Sequence, residues 1–187
     1  MPRIFRNRIA KNLPPLSLRL NTNFDKAIEL LRAHHGSECW VDDNCEAVWR
    51  LQSKTNPPKL FIFELYLGEN MVAADFGHLT TSGTSFYVAT RAYDSNNNDS
   101  KQLQCGFLLA LAQCEFLRKN GCHYWDLGGV DLTPLYAYKW DLVGNPISRS
   151  KHLQEFRESR KQAAPNTSAF QSNSILIDDI NITHLLV

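Results

Sequence analysis

The sequence predicts an α+β fold on three observations. Residues 60–89 carry strand-like apolar patterning interrupted by two turns, helical periodicity flanks them on both sides, and a short apolar stretch at 123–127 runs into Gly128-Gly129. The 187 residues suit one ordinary domain with short flanks. Hydrophobic residues at 43% and charged residues at 21% exclude wholesale disorder. No uninterrupted apolar run approaches the roughly 20 residues of a bilayer-spanning helix, since even 106–112 is closed by Gln113 and Glu115. Five cysteines, an odd number at irregular gaps, match no dense disulfide framework, so a reducing cytoplasmic compartment is expected.

Each element follows from local pattern. Pro14-Pro15 ends the N-terminal segment, and Leu16, Leu18 and Leu20 alternate with Ser17 and Arg19 as a short half-buried strand does. Thr22 or Asn23 can cap a helix whose apolar face is Phe24, Ile28 and Leu31 and whose end is marked by His34, His35 and Gly36. A second helix opens at Asp42 or Asp43, carries Val48 and Leu51, and stops at Asn56-Pro57-Pro58. Residues 60–67, a turn at 68–70 and residues 71–79 predict a hairpin, which a turn at Ser82-Gly83 extends to a third strand over 85–89. The polar loop 94–99 leads into one long helix, capped by Asp99 or Ser100, with Leu103, Phe107, Leu111, Cys114 and Leu117 on its core stripe and Gly121 as its stop. A buried strand over 123–127, an amphipathic stretch over 134–140 and a helix over 150–161 follow. This order of elements resembles the acetyltransferase-like (acyl-CoA N-acyltransferase) fold. It occupies 16–162, between a basic arm over 1–15 and a weakly ordered tail over 163–187.

Charge is unevenly placed: residues 1–60 carry net +4 and residues 61–187 net −3. Arg3, Arg6, Arg8, Lys11 and Arg19 face no acidic residue within the first twenty positions. That pattern suits a phosphate-contacting arm, a solubilising terminus or an organellar transit peptide.

Among candidate chemical groups, Asp126 ends a strand where strand ends open onto a crevice. Burial there raises a carboxylate pKa and suits it to general-base work, whereas the same side chain can simply cap the following turn. His34, His35, Cys39 and Cys45 cluster, but their spacing matches no zinc finger or ribbon and a helix C-terminus accounts for the histidines, so no metal is expected. Cys105, Cys114 and Cys122 read as small core residues, and His78 as a packed or surface histidine. An enzyme using coenzyme A is expected to carry a Gly-rich loop ahead of its long helix. Asn96-Asn97-Asn98-Asp99-Ser100-Lys101 stands there instead, with Asp94 and Asp99 opposing an anion. Coenzyme A is disfavoured on this reading, and no cofactor is expected.

Taken in order, the residues resemble the leucyl/phenylalanyl-tRNA–protein transferases. The match runs through Leu18-Arg19-Leu20-Asn21-Thr22-Asn23-Phe24, Gly36-Ser37-Glu38-Cys39-Trp40-Val41, Glu46-Ala47-Val48-Trp49-Arg50-Leu51, Asn70 to Gly77, Gly83-Thr84-Ser85, Ser100-Lys101, Trp125-Asp126 and Ile147-Ser148-Arg149. The family's Glu and Gln are replaced here by Thr84 and Gly128, and Asp126-Leu127-Gly128-Gly129 with Tyr138-Lys139 is similar to a D-x-x-G…K pattern of FemABX peptidyltransferases. The resemblance implies transfer of an amino acid from aminoacyl-tRNA to the N-terminal amine of a protein or peptide acceptor, with no membrane partner. It implies Asp126 as base or amine-orienting group, Thr84 and Ser85 as oxyanion donors, and Trp40 as a platform for the terminal adenosine. Trp49, Ser100 and Lys101 join the substrate-binding set through their motifs, and Arg3, Arg6, Arg8, Lys11 and Arg19 would hold the acceptor stem. A coenzyme A-dependent N-acyltransferase and a non-catalytic RNA-binding domain stand as the alternatives.

Overall fold

The computed structural model describes residues 14–80, 83–128, 139, 148–159 and 174–176. The chain runs β1 (Leu16–Leu20), α1 (Phe24–His35), a single 3-10 turn (Gly36–Glu38), α2 (Asp43–Ser53), β2 (Phe61–Leu67), β3 (Asn70–Leu79) and β4 (Ser85–Tyr93). It continues through α3 (Asn98–Leu103), α4 (Cys105–Lys119), β5 (Tyr124–Asp126), α5 (Arg149–Ser159) and β6 (Ser174–Leu176). The strands form one sheet in the order β5-β4-β3-β2-β1-β6. All neighbours are antiparallel except β4 and β5.

The near-continuous apolar run of β2 is explained by layers on both faces of the sheet. Phe61, Phe63, Leu65 and Leu67 join Leu108, Leu109, Leu111, Ala112 and Phe116 of α4 in one core. Ile62 and Tyr66 join Ala27, Ile28 and Leu31 of α1 and Trp49 of α2 in the other. Each buried Leu or Phe stabilises by about 1.5–3 kcal/mol. The exception inside β2 is Glu64, fully buried, whose carboxylate accepts the Thr22 and Asn23 amides at 2.8 and 2.9 Å, the Thr22 hydroxyl, and Tyr66 OH at 3.3 Å. It closes the turn that leads into α1, while Asn23 caps the helix through its side chain.

Three expectations are corrected. The long helix is two helices, broken at Gln104, which takes a left-handed φ of 51°. On α2 it is Trp49 that is buried, while Val48 and Leu51 face outward. The strand at 124–126 is half-buried and stands at the edge of the sheet among the described residues. Part of the tail, 174–176, pairs with β1 through Ser17, Leu18 and Arg19 and extends the sheet. Among the described residues no helix is long and apolar enough to cross a membrane.

Candidate active site at a fork between parallel strands

β5 pairs with β4 over Ser85–Tyr87 alone, set against Tyr124–Asp126. Beyond Tyr87, β4 runs on to Tyr93 with β3 on one side and, among the described residues, no strand on the β5 side, so the two parallel strands make a fork. The opening coincides with a bulge. Phe76 and Gly77 of β3 pair with Thr90 and Val88 of β4, which leaves Ala89 as the extra residue. A bulge bends its strand and sharpens the twist, and here it does so where β5 ends. Gly77 permits the close approach: a Cβ there would lie 2.4 Å from the Phe86 ring and 2.5 Å from the Tyr87 carbonyl oxygen.

Ladder phase decides which backbone groups enter the fork. Asp94 donates its amide to the Val72 carbonyl at 2.9 Å. Alternation in an antiparallel ladder then turns the polar groups of residues 90, 92 and 94 toward β3, and those of Arg91 and Tyr93 outward. The outward Arg91 carbonyl accepts from His35 Nε2 at 3.1 Å, so His35 carries a proton on that nitrogen. The Thr90 hydroxyl lies 3.4 Å from the same atom. His34 packs its ring 4.3 Å from the Tyr93 ring. Its pKa is lowered by burial and by neighbouring His35, against an opposing hydrogen bond that it donates to the Tyr93 backbone. On the other side, a Cβ at Gly106 would stand 3.0 Å from Tyr93. The last turn of α1 and the first turn of α4 therefore flank the open half of β4.

Charged groups gather at the same place. Arg91 donates through Nε and Nη2 to Asp75 Oδ2 at 2.9 and 2.5 Å, and Asp75 is fully buried with Oδ1 lacking a hydrogen-bond partner. Burial pushes the Asp75 carboxyl up and Arg91 opposes that. Lys139 is buried and donates to the Leu127 carbonyl at 2.5 Å. Its pKa is lowered by burial first and by Arg91 second, with Asp126 working the other way. Asp126 is half-buried at the apex of the fork, opposite Tyr87, and its Oδ1 accepts the Gly128 amide at 2.8 Å. Gly128 takes φ +73°, a conformation glycine adopts without cost.

The structure brings together only part of the expected site. Asp126, Gly128 and Lys139 converge. Thr84 and Ser85 lie at the closed end: the Thr84 carbonyl accepts His123 and Tyr124 amides at 2.8 and 3.2 Å, and the Ser85 amide is donated to Thr80 Oγ1 at 3.2 Å. Both are buried, and these bonds tie them to the start of β5 and to the β3–β4 turn. Trp49 is core, stacked on Phe76 at 5.1 Å, and Trp40 is 56% exposed with its edge against Trp49. Arg19 lies on β1 over the Tyr66 ring at 4.0 Å, three strand positions from β4, about 14 Å at the usual strand spacing. Ser100 is buried in α3 and Lys101 is exposed on it. Arg3, Arg6, Arg8 and Lys11, with the expected arm, lie outside the described residues, as does Tyr138. His34, His35, Asp75 and Arg91 were missed. Nothing local in the sequence ties the two histidines to a strand more than fifty residues on; only the ladder does.

No family model matches the chain, and no curated protein matches it. Solved structures do. The chain is similar in fold to an aminoglycoside acetyltransferase, meta-AAC0020, from an uncultured soil metagenomic sample, in complexes with trehalose and with sisomicin. In both the TM-score is 0.52 at 16% identity, covering 72% of this chain and 90% of the other. A Trypanosoma brucei acetyltransferase aligns at 17% identity and TM-score 0.46 over 72% of this chain and 95% of that one. The fold is the α+β acetyltransferase-like fold. These findings correct the aminoacyl-tRNA reading, including the FemABX-like feature: the structures similar at TM-score 0.52 are of an acetyltransferase. Of the residues that reading grouped, Asp126 on β5 and Arg19 on β1 stand four strand positions apart, and Trp40 lies in the loop before α2.

Coenzyme A, the donor this fold implies, can be tested against the residues present. The arm between its sulfur and its first phosphorus is about thirteen bonds, roughly 15 Å when extended. The open edge from Val88 to Tyr93 spans about 17 Å at the usual rise per residue, so it fits that arm in length, while the outward Arg91 carbonyl is already held by His35. The next segment does not fit the pyrophosphate. Asp94 Oδ1 accepts the Asn96 and Asn97 amides at 3.0 and 3.1 Å, and Asn97 Oδ1 accepts those of Asp99 and Ser100 at 2.9 and 3.0 Å. Among the described residues no group of three or more His, Cys, Asp or Glu is placed to hold a metal ion.

Proposed function

We propose that the chain is an N-acyltransferase that takes its acyl group from a thioester of the coenzyme A type and passes it to a primary amine. The observation that carries this reading is the fork itself: an open β4 edge of the length of the donor arm, with titratable groups at its apex. The thioester supplies an activated acyl carbon. The chain supplies the rest. An amine near pKa 8 must shed a proton to attack, and Asp126, half-buried at the apex, is the carboxylate stationed to take it. Lys139, held on the Leu127 carbonyl beside Gly128, lies within electrostatic reach of that carboxylate. Outward backbone groups of β4 orient the donor, and the rings of His34, His35 and Tyr93 keep water from that edge. Five free cysteines support a reducing, cytoplasmic setting.

The test is acyl transfer by the purified full chain, read as thiol release and product mass. Acetyl-, propionyl- and succinyl-coenzyme A are offered with amine panels comprising aminoglycosides, polyamines and peptide N-termini. Turnover of one donor with one amine class is expected. Release of thiol by water alone, or no release with any pair, overturns the reading.

A further inference from the structure

The mismatch between the two halves of the donor site points to how the donor is recognised. The loop after β4 is where an arm lying along that edge would bring its phosphates, because β4 runs Ser85 to Tyr93 and residues 94–97 follow directly. An anion seat there would be made from backbone amides. Four candidates between residues 96 and 100 are already spent: Asn96 and Asn97 on the Asp94 carboxylate, Asp99 and Ser100 on the Asn97 side chain. Asp94 thus holds a carboxylate of this chain where a phosphate oxygen would sit. Its charge, with that of Asp99, opposes any second anion. Both carboxylates also act electrostatically on buried Cys105, whose thiol is pushed up to about 11 chiefly by burial, so their negative charge bears on the root of α4 as well.

We infer that Asp94 is a donor-specificity residue: it occupies the phosphate seat itself, so the chain recognises its donor by the acyl group and pantetheine arm and draws little affinity from the nucleotide end. This rests on the reading of the fork as an acyltransferase site. An enzyme of this kind accepts an acyl-pantetheine nearly as well as the corresponding acyl-coenzyme A. Removing the Asp94 side chain, which releases the Asn96 and Asn97 amides and takes away the charge, restores a preference for the nucleotide.

Calorimetry and steady-state kinetics test this with coenzyme A, pantetheine and their acetyl thioesters, on the wild type, Asp94→Ala and Asp94→Asn. Alanine releases the Asn96 and Asn97 amides and removes the charge, whereas asparagine removes the charge and keeps an acceptor for both amides. Thermal melts check that each variant is folded. In the wild type, Kd and kcat/KM for the two donors are expected to agree within about threefold. In Asp94→Ala, coenzyme A binding is expected to tighten on the order of tenfold, with a smaller gain in Asp94→Asn and pantetheine unchanged in both. A wild type that prefers coenzyme A a hundredfold overturns the inference and leaves the acyltransferase standing, as does an Asp94→Ala protein with unaltered coenzyme A affinity. Failure of both compounds to bind or react with any variant overturns the inference and the acyltransferase reading together.

Discussion

The two halves of β4 are built from the same strand and do opposite things. From Ser85 to Tyr87 the strand is sandwiched between β3 and β5. Here Thr84 and Ser85 are buried and their described backbone bonds go to neighbouring segments of the sheet. From Val88 to Tyr93 it keeps β3 on one side only, and what borders it on the other is chemistry: histidines from α1, the Arg91–Asp75 pair, Lys139 and the Asp126 apex. The boundary between the halves is one bulge residue, Ala89. A carboxylate or hydroxyl near a strand end says little about function until it is known which half of the ladder it belongs to.

The sharpest way to break the comparison is at the apex. Asp126→Asn keeps shape and the acceptor for the Gly128 amide, so stability should be nearly unchanged. It removes the proton acceptor, and kcat/KM should fall on the order of 10²–10⁴-fold. A variant within threefold of wild type in thiol-release kinetics would reduce Asp126 to the cap of its turn.

Next in size is the buried pair beside the open half. Arg91→Met strands the Asp75 carboxylate without a counter-ion, and urea unfolding should register a loss of about 3–5 kcal/mol. The double variant Asp75→Leu/Arg91→Met should recover most of it, since no lone buried charge remains. If the double variant is as unstable as the single, the pair is worth more than its desolvation and the open half is held by electrostatics.

The hinge between the halves comes third. Gly77→Ala places a methyl against the Phe86 ring and, less forgivingly, the Tyr87 backbone oxygen. Overpacking of this kind costs about 1–3 kcal/mol. Because the displaced backbone is the last paired residue before the fork, donor KM should rise together with the fall in urea midpoint. A pure stability loss with KM unchanged would separate the bulge from donor binding.

Much of the scaffold was legible beforehand because its signals are local. The Asn23 cap, the run of β2, the hairpin and the acidic start of α2 each sit within a few residues of what they cause. Of the groups at the apex, Asp126 was singled out beforehand because a strand end and glycines coincide there, whereas Gly128 and Lys139 entered only through the FemABX-like pattern that the comparisons overturn. Gln104 broke the expected long helix because a left-handed residue outside glycine has no sequence mark. Val48 and Leu51 read as core, yet the larger Trp49 took the buried direction against Phe76. The bonds of Thr84 and Ser85 to Thr80, His123 and Tyr124 were not legible, because sheet register brings those partners together. The roles of His34 and His35 depend on ladder phase, which hydrophobic period two does not specify.

The smallest effect sharpens the comparison from the opposite side of the sheet, where Glu64 is a buried carboxylate with no chemical role. Unlike Asp75 it has no cation. Its oxygens are shared among the Thr22 and Asn23 amides and two hydroxyls. Burial pushes its pKa up, and those hydrogen bonds work against the rise without cancelling it. A folded-state pKa above the unfolded one means the folded chain holds the proton more tightly. The stabilisation is then fully present below the ordinary carboxylate range and is lost as pH rises through the raised value. Glu64→Gln cannot titrate, and its amide nitrogen faces donors, so it should cost about 1 kcal/mol at low pH. The gap to wild type should narrow as pH climbs, because only the wild type must then bury a charge. Melting temperatures of both proteins from about pH 4 to pH 8 would check the sign. A gap that widens with pH would mean the four donors hold Glu64 ionised throughout, making it a fixed anion under the α1 turn rather than a protonated cap.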